Sequence, residues 1–397
     1  MATRLALFAR CTALAAGALL VSPSMTPAAD TGPIKIGIVT SYSGVTPNAG
    51  KELDGGVAAF LKKYGDTWAG RKVELIKRDD GGPNADVAKR MAQELVVQQN
   101  VDFLFGAAFT PTAIAIESVS TQAKKPFLIV NGATSNIMNN NPYTSRYGMT
   151  IAQIAQPMAR WAPQHGLKKV YILTADYAPG IEAANQFKDV FAASGGTVVG
   201  EVHIAMGTLD FSSYLQRVKD AKPDALYTFL PTGQMPIALM KGYADLGLAK
   251  DGIKVIGTGD FVTEDALNAE GDSVLGVVTS YHYSEAHPSK LNAEFVRDYT
   301  AATGPNPRPN FQAVAAYDAM HAIYLAVQKT HGDTSADKIM DALKGIAFES
   351  PRGPISIDPN TRDIVENIYM RRLEKQNGVL QNVEFETIPN VKDPLEK

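Results

Sequence analysis

"VDFLFGAAFTPTAIAIESVS" (101–120) is the stretch that decides how this chain folds. A short apolar run, Val101 to Phe105, ends in glycine and small residues. A threonine, a proline and a helix-like pattern follow. Strand, tight turn and helix start in that order form one step of a βαβ unit. The step recurs on both sides. "IKIGIV" (34–39) precedes a helical pattern around 50–64, "KVELIKR" (72–78) precedes "NADVAKRMAQELVVQQ" (84–99), and "PFLIVNG" (126–132) follows. Asn84 is placed to cap its helix, with Val87, Met91 and Leu95 on one face. Short strands separated by helices predict a parallel, doubly wound α/β sheet.

Around "YGMTIAQIAQ" (147–156) the pattern restarts. "KVYILTAD" (169–176), a helix near 179–193, "TVVGEVHI" (197–204) and "DFSSYLQRVKDA" (210–221) come in order. "DALYTFL" (224–230), a helix near 233–246 and "IKVIGTG" (253–259) continue it, so the motif set runs twice and two similar α/β lobes are expected. After "VLGVVTSYHY" (274–283) the chain reads as helix over 288–303, 310–330 and 335–345. It closes with "GPISID" (353–358) and strand-like runs near 364–374 and 379–386. Late strands after helices suit a chain that crosses back and completes both lobes. No strict period of about 20–50 residues repeats, which excludes a solenoid.

The bulk numbers agree with this. The 397 residues are 45% hydrophobic and 20% charged, a globular composition whose length favours two domains over one. Formal net charge is −3 without a Lys/Arg block, so neither nucleic acid nor an anionic membrane is expected as partner. The first residues differ. Arg4 and Arg10 precede the apolar "CTALAAGALLV" (11–21), and "MTPAAD" (25–30) offers small residues for cleavage. Residues 1–29 therefore read as a secretory signal peptide, with an apolar core too short to span a membrane. Cleavage after Ala29 would remove Arg4, Arg10 and Cys11, the one cysteine. The mature charge is then 36 minus 41, or −5, with no thiol for disulfides or metal. A lipid anchor at Cys11 is not expected, because "FAR" precedes it rather than small apolar residues.

In open parallel sheets, ligands bind beyond the carboxyl ends of the strands. The residues there are Ser41 to Gly44, Phe109 and Thr110, and Asn131 to Ser135, then Asp176 and Tyr177, Pro231 to Gln234, and Gly257 to Phe261. They are rich in glycine, hydroxyls and aromatics, a set suited to a carboxylate at helix N-termini and an apolar body beside it. Each has a plainer reading. Thr110 before Pro111 fits an N-cap with proline at the first helical position. "NGATSN" (131–136) fits a turn, Tyr177 a half-exposed loop aromatic, and Tyr281 and Tyr283 a hinge-strand face.

Catalytic signatures are absent. No phosphate loop, nucleophile elbow or dinucleotide fingerprint follows a strand. The six histidines are scattered, and His282, Glu285 and His287 meet no known ligand spacing. "KRDDGG" (77–82) reads as an acidic turn tied down by Asp79 and Asp80. Neither an enzyme, a cofactor nor a metal is expected.

Together "IKIGIVTSYSG", "RDDGGPNADVAKRMAQELV", "FGAAFTPTA", "IVNGAT" and "DFSSYLQRVKDAKPDALY" resemble the leucine/isoleucine/valine-type periplasmic solute-binding proteins of ABC importers. The likeness covers essentially the whole mature chain. It implies two lobes joined by three crossovers, a ligand clamped between them and delivery to a membrane permease. The lobes would comprise 33–148 with 284–350, and 149–283 with 351–397. The protein would be a periplasmic monomer.

The resemblance also carries residues across. The hydroxyl that holds a ligand carboxylate falls on Thr110, the backbone-plus-threonine site on Gly132, Ala133 and Thr134, and the second-lobe cleft tyrosine on Tyr177. A further tyrosine is replaced by Pro231. The acid that grips an amino acid's ammonium would stand at Gly259, with Asp260 one step on. A buried ammonium without a carboxylate partner costs several kcal/mol, so this departure points to an acid lacking an amino group. Phe109, Tyr42 and Tyr281 are candidates for an aromatic wall. The expectation is an aromatic carboxylate. The alternative is a branched-chain or other amino acid, with Asp260 moved into place, and a periplasmic sensor role stands behind both. A DNA-binding regulator would need an N-terminal helix-turn-helix, which is missing.

Overall fold

The computed structural model describes residues 1–2, 32–44 and 46–395, so the segment read as a signal peptide falls, but for its first two residues, outside the described residues. The first round of elements is β1 (Ile34–Thr40), α1 (Asn48–Tyr64), β2 (Thr67–Trp68), β3 (Arg71–Asp79), α2 (Ala85–Val97), β4 (Phe103–Gly106), α3 (Thr110–Ala123), β5 (Phe127–Ile129) and β6 (Thr144–Arg146). The second is α4 (Ile151–Gln164), β7 (Lys169–Ala175), α5 (Ala178–Ala193), β8 (Thr197–Ile204), α6 (Ser212–Ala221), β9 (Ala225–Phe229), α7 (Gln234–Asp245), β10 (Lys254–Thr258), α8 (Leu267–Glu270) and β11 (Val278–Tyr281). Then come α9 (Lys290–Thr303), α10 (Phe311–Lys329) and α11 (Ala336–Leu343), followed by β12 (Ala347–Ser350), β13 (Gly353–Ile357), β14 (Ile364–Gln376) and β15 (Val379–Val391).

Two sheets result, one per lobe. The first runs β2-β3-β1-β4-β5-β6, with β1 parallel to β3 and β4, so that Ile36 faces Leu75 on one side and Phe103 on the other. The second runs β12-β13-β14-β11-β10-β9-β7-β8, with β15 on β14. Its β7, β8, β9, β10 and β11 are parallel, and β14 is antiparallel to β11. The central parallel strands β1, β4, β7, β9 and β10 are covered on both faces and read as near-continuous apolar runs, whereas β3 and β8 are half exposed and read mixed.

Local chemistry explains the boundaries. Asn84 accepts from the Val87 amide and starts α2, whose buried face is Ala88, Ala92 and Leu95, one step round from the face expected, with Val87 and Met91 half-buried. The run at 274–283 yields only the four-residue β11, because Gly276 takes a positive φ of 81° and breaks the strand's lead-in.

The returning helices lie on the first lobe. Phe60 of α1 meets Tyr317 of α10 edge-on at 5.5 Å between ring centroids. Ile355, Ile357 and Ile364 join that same core although β13 and β14 hydrogen-bond into the second sheet. Where the chain crosses between lobes, the buried Arg352 guanidinium binds Asp318 (2.9 Å), Glu366 (2.7 Å) and the Tyr147 carbonyl (2.6 Å). Arg146 is paired with Asp363.

α1 and α10 approach so closely that a Cβ on Gly56 would stand 2.0 Å from the Ala313 carbonyl oxygen. Backbone cannot yield as a side-chain tip can. Gly56→Ala is therefore expected to lower the denaturation midpoint by the equivalent of about 1–3 kcal/mol, and an unshifted midpoint would contradict this helix contact.

Candidate ligand-binding cleft

The first wall is built at the end of β4. Gly106 has φ of 116°, and a Cβ there would lie 2.4 Å from the Val39 carbonyl oxygen, so the chain turns where only glycine fits. Phe109 then takes extended backbone at the N-cap position of α3. The cap itself is supplied by Thr112, whose hydroxyl donates to the Phe109 carbonyl (2.8 Å) and lies 3.4 Å from the Phe109 amide. The reading of Thr110 as N-cap is thereby corrected. Thr110 is the first helical residue and Pro111 the second, and Thr112 reaches back in its place. The Thr110 hydroxyl instead lies 3.0 Å from the Thr134 hydroxyl and accepts weakly from the Thr134 amide at 3.4 Å.

The loop after β5 is held from behind. Arg146 donates to the carbonyls of Gly132 (2.6 Å) and Thr134 (2.8 Å). In a trans peptide the N–H points opposite to its carbonyl, so the Ala133 amide faces away from Arg146. Ala133 lines the cavity, whereas Gly132 and Thr134 stand behind it. A Cβ on Gly132 would meet that of Ala113 at 2.7 Å, which is why glycine stands between this loop and α3.

The second wall comes from the ends of β7, β9 and β10. Tyr177 precedes α5 and lies 6.1 Å from Phe229, centroid to centroid. Pro231 and Thr232 follow β9. Gly259 has no room for a side chain, since a Cβ would lie 2.3 Å from both Tyr281 and Arg371. Asp260, the next residue, lines the cavity instead. This corrects the inference drawn from a missing acid: a carboxyl group is present in the cleft, one residue later than the ungapped comparison places it.

Asp260 is 6% exposed. One carboxyl oxygen accepts from the Tyr281 hydroxyl at 3.1 Å, and the other has no hydrogen-bond partner. Burial pushes its pKa up to about 6, against the opposing pull of the Thr258 and Tyr281 hydroxyls and the Arg371 charge. Arg371 lies 4.8 Å over the Tyr281 ring and also holds the Thr279 hydroxyl and the Tyr283 carbonyl. Tyr281 thus stands behind Asp260 rather than in the cavity lining.

The other expectations divide. Phe109, Thr110, Ala133, Tyr177 and Asp260 come together around one cavity. Tyr42 does not line it: its hydroxyl donates to Asp54 (3.0 Å) and its ring covers Gly50. Asp79 and Asp80 tie down their turn, accepting from the Tyr42 and Gly81 amides and from the Ser41 hydroxyl and Gly82 amide. His282, Glu285 and His287 go separate ways. Glu285 pairs with Arg308 and His287 with Glu384, while His282 is buried and held well below the usual histidine range by desolvation and the charges of Arg352 and Arg371. Among the described residues no group of three potential ligands could hold a metal.

Phe311 and Gln312 line the cavity and were not foreseen, because they open α10 rather than follow a strand. The signal available was Asn310, which caps α10 by accepting from the Gln312 and Ala313 amides (3.0 and 3.4 Å). The lobes meet around the cavity. The Ser135 hydroxyl donates to Glu182 of α5 at 2.8 Å, and the Asn310 side chain donates to Asp265 at 3.1 Å. The chamber is narrow, with about 410 Å³ of space unfilled by atoms, part of it open to solvent.

A family model described as periplasmic binding protein matches residues 33–378. Leu/Ile/Val-binding protein homolog 6 of Brucella melitensis is 39% identical over 364 residues, covering 91% of this chain and 93% of that one. Among solved structures, a solute-binding protein of an ABC transporter from Rhodopseudomonas palustris BisB5, in complex with 3,4-dihydroxybenzoic acid, is 46% identical. It superposes with a TM-score of 0.88, covering 92% of this chain and 99% of that one. Another from Rhodopseudomonas palustris, in complex with 4-hydroxybenzoate, is 39% identical with a TM-score of 0.89, covering 91% and 98%.

Two outcomes test this geometry in the ligand-free protein. Thr112→Ala is expected to cost about 1 kcal/mol of stability as a lost cap and Thr110→Ala much less, read from urea midpoints. For Asp260 the folded-state pKa lies above the ordinary carboxyl value, so the stability of the neutral form is present at low pH and lost as pH rises through 6. Asp260→Asn should therefore melt higher than wild type at neutral pH, by the equivalent of roughly 3 kcal/mol at most. The gap should close near pH 4, and a constant gap across that range would refute the assignment.

Proposed function

The chain belongs to the periplasmic binding protein family, and from that premise we propose that it captures a small aromatic carboxylate between its lobes for delivery to an ABC importer. The observation that carries this is the composition of a chamber that both lobes line. Thr110 and the Ala133 backbone stand at one wall, and Phe109, Tyr177, Phe229 and Phe311 surround its body. Hydroxyl and amide donors at a helix start suit a carboxylate, and aromatic faces offer a flat apolar ring large buried area and favourable stacking. The ligands of the two Rhodopseudomonas relatives have this chemistry.

On this reading, lobes of 33–148 with 284–350 and of 149–283 with 351–397, save that β12 (Ala347–Ser350) hydrogen-bonds into the second sheet, swing about the Arg352 region. Open and closed forms differ by a few kcal/mol, and a ligand touching both walls shifts the balance toward closure. Ser135 and Glu182 latch the closed form. The partner is the importer's transmembrane permease, the protein acts as a monomer, and residues 1–29 export it to the periplasm. A second reading, an amino acid ligand, is favoured by one observation: the Asp260 carboxyl is positioned to receive an ammonium.

A thermal-shift screen decides between them. Aromatic acids at about a hundred times their Kd should stabilise the protein by about 2.7 kcal/mol, and leucine should not. Thr110→Ala should weaken that binding about ten-fold or more by removing a hydrogen bond to a charged group. Stabilisation by leucine and by none of the aromatic acids would overturn the proposal.

A further inference from the structure

We infer that Asp260 is the acceptor for a phenolic hydroxyl on the ring of the bound acid, so that the cleft selects hydroxylated over unsubstituted benzoates. The inference rests on the aromatic-carboxylate reading and adds to it the group at the far end of the ring. Asp260 and Thr110 line the same chamber from opposite lobes. A ligand carboxylate placed against Asp260 would set two like charges together in a dry site, which is strongly unfavourable. The ligand's charge therefore goes to the Thr110 wall, and whatever meets Asp260 must donate a hydrogen bond.

The number of free lone pairs narrows the donor. One Asp260 oxygen is occupied by the Tyr281 hydroxyl, and the second is buried and makes no hydrogen bond of good geometry, with the Thr258 hydroxyl a competing donor to the carboxyl. Tyr281 is itself fixed under the Arg371 guanidinium, so the carboxyl that lines the chamber is held in place from behind. A phenol brings a single donor and satisfies that oxygen. An ammonium brings three donors, more than that one oxygen can take. A buried acceptor without a partner penalises a ligand that lacks the matching donor, and this is how a polar site discriminates more sharply than an apolar one.

The test is calorimetric titration of wild-type protein with benzoate, 4-hydroxybenzoate and 4-methoxybenzoate at neutral pH, with leucine alongside, repeated on Asp260→Ala. In wild type, 4-hydroxybenzoate should bind about ten- to hundred-fold more tightly than either analogue. In Asp260→Ala the ratio to benzoate should fall to about threefold or less. Equal affinity for all three benzoates in wild type, or a preference that survives in Asp260→Ala, overturns the inference and leaves the aromatic-acid reading intact. Binding of leucine with no benzoate bound overturns both. Should Asp260→Ala fail to fold, 4-fluorobenzoate decides on wild type, since it is close to 4-hydroxybenzoate in size but donates no proton: affinity equal to that of the hydroxy acid overturns the inference.

Discussion

The buried guanidinium of Arg352 is the constraint on which the two-lobe arrangement depends. It joins Asp318 on α10, Glu366 on β14 and the carbonyl of Tyr147, three segments far apart in sequence that meet where the chain passes between lobes. Two acids buried around one cation are costly. Burial raises the Asp318 carboxyl to about 6 and that of Glu366 to about 8, in each case against the pull of Arg352. Such a cluster is weak as a source of stability but severe on any rearrangement that separates its members. The crossing is thus held in one arrangement.

The same reasoning connects the hinge to the ligand wall. Arg146, paired with Asp363 at a neighbouring crossing, also grips the carbonyls of Gly132 and Thr134. The backbone facing the cleft is therefore set by a charge belonging to the crossing. Across the chamber, Arg371 of β14 fixes Tyr281, and Tyr281 fixes Asp260. Both walls are positioned from behind by guanidinium groups carried on or paired with the late part of the chain. Preorganised donors and acceptors of this kind lose little freedom on binding, which is where their affinity comes from.

Much of this was legible in the sequence, and what was missed has a physical cause. Alternating apolar runs and amphipathic stretches identified both sheets, because strands covered on both faces must be apolar throughout. Placing candidates at strand ends found Phe109, Thr110, Ala133, Tyr177 and Asp260. It failed for Tyr42, which stands after β1 but is claimed by Asp54. It also failed for Phe311, which arrives on a helix from a distant part of the chain. The plainer reading of Thr110 as a cap fits the Thr-Pro pattern but fails, because Thr112 two residues on competes for the same backbone groups and wins. Counting from "VIGT" leaves the acid's place open between Gly259 and Asp260, because it cannot reveal that Gly259 is crowded by Tyr281 and Arg371.

Period and composition alone thus determined the α/β class, the doubling of the motif and the chemical character of the cleft. These follow from short-range rules in which a residue's neighbours along the chain settle its role. Which carboxyl enters the cleft, which hydroxyl is free to face it and which aromatic rings close around it were decided by tertiary structure. Each of those outcomes depends on competition between groups tens to hundreds of residues apart for the same space or the same hydrogen bond, and that competition exists only once the chain has folded.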